Sequence, residues 1–176
     1  MYGVKKMSKR ILQCNIDFRA FEDTAQAVRK SIGETLLLSS VCGVTGVDAP
    51  SVQNWVKRGY VGKTDGKKYS RQQAARVILL NNLRHGLELS KATELIDKAK
   101  EHSLEADDLL AVSASSLIRA KRFNSIDREA LKSVVNGELR DFGKSDPFLS
   151  SVVLTVSLCA LCAEYKELSK AEANAL

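Results

Sequence analysis

Proline is nearly missing from this chain: Pro50 and Pro147 are the two in 176 residues. Aromatic residues are also scarce, at 6%. With Leu, Ala, Lys and Glu abundant, that shortage argues for helices over sheets. The four cysteines, Cys14, Cys42, Cys159 and Cys162, lack the even spacing of a disulfide framework. No apolar segment of the signal-peptide kind follows the basic start MYGVKKMSKR, so reduced thiols in a cytoplasmic protein are expected. Histidine occurs twice, at His85 and His102, each isolated. There is no Ser/His/Asp set, no carboxylate pair in a Gly-rich context and no phosphate-binding loop, so neither an enzyme nor a cofactor is expected. Cys159-Ala-Leu-Cys162 is a lone C-x-x-C. Zinc needs further ligands and a redox pair needs an accessible thiolate at a helix start, so both cysteines read as small core residues and no metal is expected. The longest uncharged run, Pro147 to Ala163, is seventeen residues with four Ser or Thr. A spanning helix needs about 20 mostly apolar residues. The run reads instead as a buried helix or one shared between subunits, and no membrane role is expected.

What the chain does have is a concentration of positive charge. Between Lys57 and Arg76 lie seven cations (Lys57, Arg58, Lys63, Lys67, Lys68, Arg71, Arg76) and one acid, Asp65. The segment nets +6, the formal excess of the whole chain. Charge gathered on one element is the electrostatic footprint of a phosphate-binding surface.

Periodicity divides the chain into three parts. Residues 1–33 form an N-terminal arm and a bracing helix, with Phe21, Ala25, Val28 and Ile32 on one face. Residues 34–100 are the most punctuated. Leu36, Leu37, Leu38, Val41 and Cys42 predict a short helix stopping at Gly43. Asp48 before Ala49-Pro50 predicts a capped helix from Pro50 to Arg58, with Gly59 in the break. Thr64-Asp65-Gly66 predicts a turn, with Tyr60-Val61 and Lys67 to Tyr69 as its two short strands. Ser70 with Gln73 fits a capping box opening a helix over 71–85, broken at Gly86. Leu89, Ala92, Leu95, Ile96 and Ala99 make the next helical face. Residues 101–176 form a C-terminal helical domain. Its first helix is opened by acids and closed near Ile118 by Arg119, Lys121 and Arg122. A second spans 124–142 with Ser125 as cap, and a third starts at Pro147.

The segment Gly46-Val47-Asp48-Ala49-Pro50-Ser51-Val52-Gln53-Asn54-Trp55-Val56-Lys57-Arg58-Gly59-Tyr60 resembles, without a gap, the signature of the mercury-resistance-regulator (MerR) type of transcription factor. Lys67-Lys68-Tyr69-Ser70 looks like the end of that family's wing, and Leu83 to Leu89 like its second-helix junction. The wording NWVKRGYV looks closer still to an uncharacterised bacterial family of MerR-like domains. The resemblance implies a mainly α fold: a winged helix-turn-helix with a short two-stranded wing, followed by a C-terminal helical domain. It also implies sequence-specific binding of double-stranded DNA in transcriptional control. Asn54 and Gln53 replace an aromatic and an Arg of the signature, and Glu88 stands where a Ser cap is usual. The tail lacks the family's long dimerisation helix and its metal-binding cysteine loop, so metal or drug sensing is not carried over.

The expected DNA contacts are Ser51, Gln53, Asn54, Lys57 and Arg58 on the recognition helix, and Lys63, Lys67, Lys68, Tyr69 and Arg71 at the wing. Asn and Gln side chains can pair bidentately with an adenine edge. Trp55 is expected in the core. Arg58 meets a phosphate or caps its helix, and Tyr69 donates to a phosphate or packs under the wing. A homodimer through the C-terminal helices is expected, with any small-molecule effector unidentified. The rival expectation is a protein-interaction module that keeps the winged shape without the DNA.

Overall fold

The computed structural model describes Asp23, Ala25 and residues 35–66, 68–122 and 128–174. These residues are mainly helical. They contain β1 (Leu36–Leu37), α1 (Leu38–Thr45), α2 (Ala49–Lys57), β2 (Lys68–Tyr69), α3 (Arg71–Leu83), α4 (Leu89–Glu101), α5 (Ala106–Arg122), α6 (Arg128–Asp141) and α7 (Pro147–Asn174). Asp23 and Ala25 are helical, and Ala25 is buried in the common core. The rest of the expected N-terminal arm, with Cys14, lies outside the described residues, as do Lys67 and the Ser125 cap.

Local chemistry sets the starts of α2 and α3. Asp48 has extended backbone angles, and its carboxylate accepts the Ser51 N–H at 2.9 Å, with Pro in the first turn of α2. Pro there loses no helical hydrogen bond, because a first-turn N–H has no partner inside the helix. Ser70 accepts the Gln73 N–H while the Gln73 side chain accepts the Ser70 N–H, the reciprocal capping box expected for α3.

Two local expectations fail for one reason. Leu36 and Leu37 form a strand, not the first turn of a helix, and α1 runs through Gly43 to a C-cap at Gly46. Gly46 takes φ +67 and its N–H bonds back to Cys42 O at 2.8 Å, a left-handed cap that suits glycine. Tyr60-Val61 is not a strand either. Strand β2 pairs antiparallel with β1, Leu36 opposite Tyr69 and Leu37 opposite Lys68. A two-residue strand has little pairing preference of its own. The partner that tertiary packing brings alongside takes its hydrogen bonds. The Asp65-Gly66 turn itself forms, with Lys68 N–H on Asp65 O at 3.1 Å.

Helix α3 organises the core. Its buried residues Ala74, Ala75, Val77, Ile78, Leu79, Leu80 and Leu83 cover more than one face. A helix apolar nearly all round must be enclosed, and α1, α4, α5 and α7 all pack against it. Helices α5, α6 and α7 pack on one another, and one hydrophobic cluster runs from Ala25 to Leu161. Pro147–Ala171 is long and apolar enough to cross a membrane by length and composition, yet 56% of its most apolar window is buried inside the protein. That burial is the condition of a core helix. Of the C-x-x-C pair, Cys159 is buried and burial pushes its thiol up, as a core residue requires. Cys162 is exposed and does not belong to the core. No group of three His, Cys, Asp or Glu able to hold a metal occurs among the described residues.

Candidate nucleic-acid interface

Helix α2 is held by its apolar side. Val52 and Trp55 are buried, each worth about 1.5–3 kcal/mol of transfer free energy on the usual scale for large apolar side chains. The Arg84 guanidinium lies over the Trp55 ring, 5.8 Å from its centroid, fastening α2 to the end of α3. With that side anchored, Gln53, Asn54, Lys57 and Arg58 are exposed. Ser51 is half-buried. Its hydroxyl donates to Asp48 Oδ2 at 2.7 Å, so it belongs to the cap as much as to the outer face. Those bonds, first from the Ser51 side chain and then from its N–H, hold the Asp48 carboxyl below the usual range.

The loop from Gly59 to Tyr69 is pinned from beneath. Gln73 Nε2 donates to Lys63 O at 2.7 Å, so one side chain closes the α3 cap and fastens the loop. Arg76 donates from Nε to Tyr60 O and from Nη1 to Asp97 Oδ1, the latter at 2.6 Å. Gly62 and Gly66 take φ +85 and +61, letting the chain turn twice within five residues. Lys63 and Lys68 emerge exposed. Strand alternation sends the neighbouring Tyr69 inward, where it is 4% exposed. Burial raises its phenol pKa above 10.0. Its ring packs under the loop, the second of the two roles expected for it.

The six cations among the described residues therefore divide. Arg71 Nη2 meets Asp107 Oδ2 at 2.6 Å, and Asp107, 6% exposed, also accepts from Gln72. Arg76 faces Asp97. These two arginines tie α3 to α5 and α4, and their charge is matched inside the protein. Lys57, Arg58, Lys63 and Lys68 are exposed and make no ion pair among the described residues. Sequence reasoning missed Asp107, which read only as a helix-dipole residue. It also missed Arg84 and the second role of Gln73. Gln73 was visible as a capping residue, but its other end acts ten positions away. No local pattern marks the partner of Arg71, because Asp107 is a whole helix further on.

No curated protein and no solved structure matches the chain. Residues 34–117, from just before β1 into α5, are similar to one family, the domain of unknown function DUF1836.

Proposed function

We propose that this protein is a sequence-specific DNA-binding transcriptional regulator of the MerR-like winged helix-turn-helix type. The observation that carries the reading is the row of exposed groups on α2 and the adjoining loop whose side chains have no partner among the described residues: Gln53, Asn54, Lys57, Arg58, Lys63 and Lys68. Helix α2 enters the major groove, with Gln53 and Asn54 toward base edges and Lys57 and Arg58 toward phosphates. The loop 61–69 serves as the wing and holds the backbone through Lys63, Lys68 and, from the sequence, Lys67. The protein acts in the cytoplasm as a homodimer through α7, where Leu158 and Leu168 are exposed at 38% each. Two copies of α2 then stand about 34 Å apart on one face of the duplex.

The test is fluorescence-anisotropy binding to fragments of the source genome, including the region upstream of this gene. Tight binding to a few fragments, lost in Lys63→Glu with Lys68→Glu while oligomeric state is kept, is the expected result. Uniform weak binding, or affinity that survives the charge reversal, refutes the reading and moves the function to protein partners.

A further inference from the structure

A second concentration of positive charge, unmatched among the described residues, lies in the C-terminal helices. Between α6 and the start of α7 is an open cavity of about 540 Å³, within the range of small-molecule sites. Lys132, Asn136 and Arg140, four residues apart along one face of α6, line it, together with Lys144 from the connection to α7. None of the three cations makes an ion pair among the described residues. The acids nearby are committed elsewhere. Glu138 and Asp141 both reach across to Arg119 of α5, at 2.8 and 3.5 Å. Asp146 also lines the cavity. One of its oxygens accepts the Phe148 N–H at 2.8 Å and the other meets His102 Nδ1. Those contacts, the His102 bond foremost, keep it ionised below its usual pKa. Three cations against this one engaged carboxylate leave a local excess of two positive charges.

The hydrogen-bonding groups are biased the same way. Asn136 Oδ1 accepts from Ser150 Oγ at 2.6 Å, a bond that joins α6 to α7 along the cavity wall. Its Nδ2 makes no hydrogen bond among the described residues and is left as a donor. Arg140 uses Nε on Asn136 O at 3.3 Å, leaving the forked end of the guanidinium. At the start of α7 the Phe148 N–H is already taken by Asp146. What remains facing the space is a set of donors: two ammonium groups, a guanidinium fork and an amide.

We infer that this cavity binds a small oxyanion carrying two or more negative charges, of phosphate or dicarboxylate chemistry. Arg140 forms the bidentate contact, and Lys132 and Lys144 supply point charges. The cavity shares no residue with α2 or the wing, so binding there is independent of DNA binding.

The test is calorimetric titration of the full chain with inorganic pyrophosphate and, separately, with succinate, at constant ionic strength. Three proteins are compared: the parent, Arg140→Gln with Lys144→Gln, and Lys63→Gln with Lys68→Gln. Circular dichroism verifies the fold of each. Saturable binding of either probe that weakens tenfold or more in the Arg140/Lys144 variant, and is unchanged in the Lys63/Lys68 variant, supports the site. The probe that binds identifies its chemistry. No saturable binding of either probe, a loss smaller than tenfold, or a loss in the Lys63/Lys68 variant overturns it.

Discussion

The division of the described cations into matched and unmatched makes a quantitative prediction about salt. Each phosphate neutralised on duplex DNA lowers the slope of log K against log salt by about 0.9. If all seven reached phosphates, each protomer would contribute a slope of about −6.3. Lys57, Arg58, Lys63 and Lys68 are unmatched among the described residues, which gives about −3.6, or about −4.5 once Lys67 is added. Arg71 is the decisive position, because its charge is already met by Asp107 at 2.6 Å. Arg71→Gln is expected to leave the slope unchanged. Lys68→Gln reduces it by about 0.9. Arg71→Gln should instead lower the urea midpoint, because Asp107 is 6% exposed and would keep only its Gln72 partner. Arg71 itself is 36% exposed, so solvent screens the pair and the loss is nearer 1 kcal/mol than the several of a fully buried pair. The assay is anisotropy at five or more salt concentrations on one fragment, with urea unfolding alongside. A slope reduced by about 0.9 in Arg71→Gln, with unfolding unaltered, would refute the assignment of this arginine to the fold.

Three further outcomes follow from the packing. Leu79 is fully buried at the centre of α3, so Leu79→Ala should cost about 2–5 kcal/mol, read as a fall in urea midpoint with little change in slope. A Cβ at Gly86 would lie 3.0 Å from Cys159 Sγ, so Gly86→Ala should destabilise by about 1 kcal/mol and Cys159→Ala should recover most of that loss. Additive effects in that double variant would show that the close approach is not what matters. Burial, then the charges of Lys166 and Arg84, holds the His85 pKa below 6.5 in the folded protein. The stability this gives is fully present above pH 6.5 and is lost as pH falls through the lower folded value. Over that window the urea midpoint of His85→Gln should change less with pH than that of the parent, and equal dependence would rule His85 out as the source.

The parts of this protein legible in its sequence are those whose partners lie within a few residues. Asp48 caps α2 three residues ahead, and Ser70 and Gln73 close on each other over the same interval. Such contacts need no fold to bring them together, so spacing alone predicts them. The helical periods of α4 and the break at Gly86 belong to the same class. Likewise, the exposure of Gln53, Asn54 and Lys57 opposite Val52 and Trp55 follows from one helix having one apolar side.

Other features depended on segments far apart in the chain. Leu36 and Leu37 look helical until Lys68 and Tyr69 come alongside and take their backbone groups. Arg71 and Arg76 look like surface charge until α5 and α4 supply Asp107 and Asp97. Lys132, Arg140 and Lys144 look like ordinary solvated lysines and arginine until α7 closes the other wall of their cavity and α5 draws away the acids beside them. The sequence by itself determined where the capped helices α2 and α3 begin, which side of α2 is apolar and how much charge the region carries. Only the tertiary structure decided which charges are matched and which are left for a partner. Ion pairing depends on distances of a few ångströms between residues that folding alone makes neighbours.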